Sequence, residues 1–173
     1  MKYLIPVIVA LCCPIMAFCQ DITGLWKGTM YNDSTKKSLD YEIVISKVKG
    51  KLTGLSYTSY LVNDKNYYGI KKIDVRVAKD GKIVLQDAKP LENNYSNQEN
   101  KNVIQLNVLN LANAGAESFM DGIFVTNRSK EFQSVTGRMS IKKVNPLVVQ
   151  SELMNYLNKK PAGNNEDNLT AGK

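Results

Sequence analysis

The sequence predicts an all-β domain: an antiparallel up-and-down barrel of about eight strands, with a C-terminal α-helix packed outside it. Three observations carry that reading. Run after run alternates apolar and polar residues with period two, turn residues separate the runs, and the last apolar stripe has helical spacing. Ile43 and Ile45 oppose Glu42, Val44 and Ser46, and Ile73, Val75 and Val77 oppose Lys72, Asp74 and Arg76. Val135, Met139 and Ile141 oppose Thr136, Arg138, Ser140 and Lys142. One apolar and one polar face marks antiparallel strands with a single buried side.

Taken in order, the chain begins with MKYLIPVIVALCCPIMAFCQ. Lys2 precedes an apolar run from Tyr3 to Phe18, shorter than the about 20 residues a membrane span needs. Ala17 and Cys19 fit the small-residue positions of a cleavage site, so residues 1–19 read as a signal peptide and the protein as exported, periplasmic or secreted. Cys12, Cys13 and Cys19 all lie here, preceded by Leu11, Cys12 and Phe18. None of these preceding residues is small, which argues against a lipid anchor. The remaining domain, 20–160, then has no thiol, hence no disulfide and no cysteine nucleophile.

The strand candidates follow as Thr23–Tyr31, Leu39–Val48, Lys51–Tyr60, Tyr67–Ala78, Lys82–Asp87, Asn102–Leu111, Glu117–Thr126 and Val135–Val144. Lys49-Gly50 and Asp80-Gly81 are two-residue hairpin signals. Asn32–Ser38, Val62–Asn66, Lys89–Lys101 and Asn127–Gln133 read as polar loops, the Asn-rich stretch after Pro90 being the longest. Asn145-Pro146 resembles a helix N-cap followed by a first-turn proline. Val149, Leu153 and Leu157, with Met154 and Tyr156, make the helical stripe, and Lys159-Lys160 and Pro161 end it. The polar residues 161–173 read as a disordered tail. A meander of this many strands removes its edges by closing into a barrel, and a two-sheet sandwich is the competing solution.

Gly24-Leu25-Trp26, at the head of the first strand, resembles the Gly-x-Trp signature of lipocalins and related calycins. The resemblance implies that Trp26 plugs one end of the barrel, with Gly24 beside it and an arginine stacked on the indole. Arg128 and Arg138 are the candidates for that arginine. The family's middle signature has no clear counterpart between Asn97 and Gly122. The chain from about Gln20 onward is also similar to small exported proteins of Gram-negative bacteria.

Composition excludes more than it selects. The chain has no histidine, so triads and histidine-ligated metal sites are out, and no phosphate-cradling glycine loop is present. The acids Asp21, Glu42, Asp74, Asp87, Glu117 and Asp121 show no pairing that demands a two-carboxylate hydrolase. The reading is therefore a non-enzyme with no metal and no cofactor, with a carboxylate-based hydrolase, which needs two close acids in a cleft, as the third alternative. The formal net charge of +7, one less without Lys2, suits an acidic glycan or lipid surface; nucleic acid is not expected outside the cell. Lys47, Lys49 and Lys51 cluster at one turn. Tyr57, Tyr60, Tyr67 and Tyr68 flank another, where tyrosine faces suit an amphipathic ligand. The resulting expectation is a monomer that binds a small apolar or amphipathic molecule inside the barrel. The ligand would be held by Ile43, Ile45, Tyr57, Tyr60, Tyr68, Ile73, Val75, Met139 and Ile141, with Gly24, Trp26 and Arg128 closing the end. The alternative is a cell-envelope module that contacts glycan or protein through its loops and holds nothing inside.

Overall fold

A computed structural model describes residues 21–95, 103–130 and 132–159. The expected signal peptide (1–19), the expected tail (161–173) and part of the Asn-rich segment lie outside the described residues. The strands are β1 (Gly24–Asn32), β2 (Lys37–Val48), β3 (Lys51–Val62), β4 (Lys65–Val77), β5 (Ile83–Asn93), β6 (Gln105–Ala114), β7 (Glu117–Thr126) and β8 (Thr136–Val144). Each pairs antiparallel with the next, and β1 returns to β8 from Leu25↔Val144 to Asn32↔Gly137, closing the barrel. With both outer strands paired, the sandwich alternative falls away.

One connection is tighter than the sequence suggests, and another is as tight as expected. Asn63 and Asp64, placed in a loop by composition, form a two-residue turn with φ of 48° and 59°. Lys49-Gly50 does the same with 48° and 82°. Positive φ at both central positions matches the twist of the flanking strands, and Asn and Asp tolerate it better than most side chains. β5 also runs on through Pro90, where the Asn-rich loop was expected to begin. Register shifts between Ile70 and Lys71 and between Lys72 and Ile73 place Pro90 at an irregularity in the ladder, where a missing N–H is tolerated.

The chain has two apolar clusters, one on each side of the wall. The inward cluster contains Trp26, Met30, Ile43, Ile45, Ile73, Leu85, Leu109 and Ile141 among others. The outward one joins Leu25, Val44, Leu55, Tyr57 and Ile70 to Leu153 and Tyr156 of α1 (Glu152–Lys159), which lies against β2 and β3. This explains Val44: it belongs to the outward phase of β2 yet is buried, because α1 covers it. The helix begins later than Asn145-Pro146 suggests. Asn145 instead caps a turn, accepting the Leu147 N–H on Oδ1 at 2.9 Å, while Ser151 is the helix cap, its Oγ accepting the Met154 N–H at 3.2 Å. The intervening residues carry the chain from the end of β8 past β1 before a helix can lie on the outer wall.

One outward carboxylate fastens that helix. Glu42 Oε1 is 2.7 Å from Lys27 Nζ, and its Oε2 accepts the Ser151 hydroxyl at 2.6 Å and the Leu153 N–H at 3.2 Å. Lys27 also donates to the Gln150 carbonyl at 2.5 Å. A buried negative charge at a helix N-terminus meets unpaired N–H groups and the positive end of the dipole.

The barrel therefore has two ends. Gly24, the Lys49-Gly50, Asp80-Gly81 and Gly115 turns and the end of β8 share the Trp26 end. The β1–β2, β3–β4, β5–β6 and β7–β8 connections share the Tyr60 end.

Candidate binding site at the Tyr60 end of the barrel

Strand register assigns every inward side chain. Trp26 pairs with Ile43, Ile43 with Ser56, Ser56 with Lys71 and Ile73 with Gly54, so these residues share the inner face. The six aliphatic and methionine positions read as a ligand lining, Ile43, Ile45, Ile73, Val75, Met139 and Ile141, all belong to the inward cluster. None of them exceeds 4% exposure, however. The wall of a hollow of about 300 Å³ or more would keep accessible surface. The half of the barrel nearest Trp26 is a packed core.

Trp26 seals that end. It is fully buried, and its Nε1–H donates to the Ile22 carbonyl at 3.0 Å. The cation over its ring is Lys143, whose Nζ lies 5.9 Å from the ring centroid and donates to the Asp21 carbonyl at 3.0 Å. Gly24 has φ of +114°, and a Cβ there would come within 3.2 Å of Lys143 Cε, so glycine gives the lysine its path to the indole. Arg128 does not take this role. It follows β7 at the Tyr60 end, and Arg138 lies outward beside Tyr31. A two-residue alternation argument cannot distinguish the two ends of a strand, whereas the closed register can.

The other half of the interior is polar. Tyr41, Ser56, Thr58, Lys71, Asp87, Gln105 and Asn107 all fall in the inward phase of their strands. Lys71 Nζ donates to Asp87 Oδ2 at 2.5 Å, and the same oxygen accepts the Gln105 N–H at 3.0 Å. Gln105 Nε2 donates to Asn107 Oδ1 at 2.7 Å. This pair sits where the β5–β6 ladder stops. That ladder has partners only from Ile83↔Leu109 to Gln86↔Leu106, and the Asp87 carboxylate takes the next N–H in place of a backbone carbonyl. Lys71 retains 25% side-chain exposure, while Asp87 retains 8%. The lysine thus faces the opening and the carboxylate lies beneath it.

At the floor of this polar collar is a buried hydroxyl with no partner. Tyr41 Oη is inaccessible and has no hydrogen-bond partner of ordinary distance and angle among the described residues, its nearest polar neighbours being the Ser56 and Asn107 side chains, which interact with it only weakly. Burial, reinforced by the Asp87 charge, pushes its pKa well above 10.0 and keeps it protonated. At the rim, Tyr60 stacks on Tyr67 at 5.7 Å and on Tyr95 at 6.0 Å. A Cβ on Gly69 would overlap the Tyr95 phenol, so the absence of a side chain there lets Tyr95 lie across the inner wall. Burial likewise pushes the Tyr95 phenol upward.

Of the four expected rim tyrosines, Tyr60 and Tyr67, paired across β3 and β4, point inward, whereas Tyr57 and Tyr68 do not. Tyr57 is part of the outward cluster beneath α1, and Tyr68 packs beside it with centroids 5.9 Å apart, its hydroxyl donating to Glu92 at 2.8 Å. The correction follows from parity. Residues 57 and 60 are separated by an odd number, and 67 and 68 are adjacent, so each pair must split between the two faces. The same parity identifies the residues that were missed. Lys71 is in phase with Ile73, Asp87 with Leu85, and Gln105 and Asn107 with Leu109. A polar residue in an apolar phase was the available signal.

No family model, no curated protein and no solved structure matches the chain.

Proposed function

We propose that the protein is an exported, lipocalin-like binder of a small amphipathic molecule, held at the Tyr60 end of the barrel rather than deep within it. The observation that carries this is the division of the interior into a filled apolar half and a polar half with a partnerless Tyr41 hydroxyl at its floor. Buried polar groups are normally satisfied, and one left open beneath a partly exposed lysine marks a place for a polar guest. Lys71 and Asp87 neutralise each other, so the complementary group is an uncharged one that can both donate and accept. The tyrosines at the rim supply a flat apolar surface for the rest of the molecule. The seal formed by Trp26, Gly24 and Lys143 supports the lipocalin-like reading, since it leaves only one end for entry.

Native mass spectrometry of protein purified from its own host tests the proposal. The expected result is a retained small molecule that is lost from Lys71→Gln and Tyr67→Ala, each first shown to keep the β-sheet dichroism of the wild type. Retention of the same molecule by both folded variants would place it elsewhere.

A further inference from the structure

The Trp26 end has a composition that ligand binding does not use. Leu147 and Val148 are 92% and 79% exposed, and they are consecutive. They are also held in place: Asn145 accepts the Leu147 N–H on its side chain, and its carbonyl accepts the N–H groups of Val148 and Val149, each at 3.1 Å. Two apolar side chains are thus fixed outward on a capped turn, in contact with water.

Around this turn the rim is basic. Lys47, Lys49 and Lys51 flank the β2–β3 hairpin, Lys79 sits at the β4–β5 turn and Lys142 near the end of β8. All five are exposed and have no ion pair among the described residues. The carboxylates of the same rim are Asp21, Asp80 and Glu117, and the first two are engaged with Lys143 and Lys82 at 3.9 Å and 3.0 Å.

We infer that the Trp26 end is a membrane-docking surface for anionic phospholipid, with Leu147 and Val148 entering the headgroup boundary and the lysine rim meeting the lipid charge. A rigid apolar tip at the same end of the barrel as five exposed lysines without ion pairs matches a surface that is negative outside and oily beneath. It would hold the barrel with the Tyr60 end facing away from the bilayer, leaving the opening free.

The test is co-sedimentation of the exported, processed protein with vesicles of phosphatidylcholine containing phosphatidylglycerol, against phosphatidylcholine alone. Binding should require the anionic lipid and disappear in molar salt, where the screening length falls to about 3 Å. Replacing Lys47, Lys49 and Lys51 together with Gln should weaken it about a hundredfold, at about fivefold per lysine. Leu147→Ser with Val148→Ser should weaken it about tenfold. All five positions are exposed, so an unchanged unfolding temperature separates lost docking from lost folding. Equal binding to neutral vesicles, or wild-type affinity in both folded variants, would overturn the inference.

Discussion

The partnerless hydroxyl of Tyr41 gives the account its sharpest mutational consequence. In the unfolded chain this group is hydrated; in the fold it is inaccessible and bonds to nothing among the described residues. A buried donor left unmade costs about 1–3 kcal/mol. Tyr41→Phe removes that cost while keeping the ring, which packs with Met30, Ile43 and the rest of the inward cluster. The ligand-free protein should therefore become more stable by about 1–2 kcal/mol, which is about 3–6 °C in Tm for a domain of this size. Urea unfolding followed by Trp26 fluorescence reads the change directly, with the slope unaltered. The same variant should bind the retained molecule more weakly, since the guest loses its partner at the floor. Destabilisation by 1 kcal/mol or more would refute the reasoning, because it would mean that the hydroxyl is satisfied in the folded state.

Three further outcomes follow from the geometry. Glu42→Ala leaves Lys27 without its carboxylate and the N-terminus of α1 without its acceptor, and should cost about 2–3 kcal/mol; amide exchange at Leu153 and Met154 should rise more than at β6 or β7. Tyr41 and Tyr95 have folded-state pKa values raised above 10.0, so the fold binds their protons more tightly than the unfolded chain does. Their contribution is complete below pH 10 and is lost as the pH climbs beyond it. Phenolate absorbance should show a late ionisation step for these two phenols, coincident with loss of the β-sheet dichroism. A single ionisation step with the fold intact would contradict this. Lys143→Ala removes both the cation over the indole and the link to the Asp21 carbonyl, and should make Trp26 accessible to a neutral quencher that scarcely reaches it in the wild type.

Much of the barrel was legible because strand alternation is a local property. The inward phase of Ile43, Ile45, Ile73, Val75, Met139 and Ile141 could be read residue by residue, and the register agrees. The continuation of β5 through Pro90 could not, since it depends on irregular pairing with β4 that composition does not encode. The start of α1 was misplaced because Asn145-Pro146 is a good local cap, whereas Ser151 is selected by Glu42, 109 residues earlier in the chain. The seal on Trp26 shows a similar limit. Gly24 and Trp26 were visible as a pattern, but the cation that completes it is a lysine at the end of β8 rather than either arginine. The polar collar was hidden for another reason. Lys71 and Asp87 look like ordinary surface charges until parity places them on the inner face, and their contact spans 16 residues across a bulged pair of strands.

The central claim is that this interior receives a guest at one end only. Backbone amide NMR shifts during titration with 1-decanol, an amphipathic probe whose polar group is uncharged and both donates and accepts, test it most directly. The account predicts changes concentrated at Thr58, Gly69, Lys71 and Gln105, with Trp26, Ile45 and Val75 unmoved. Changes centred on Trp26 and Ile45, or on the wall beneath α1, would contradict it.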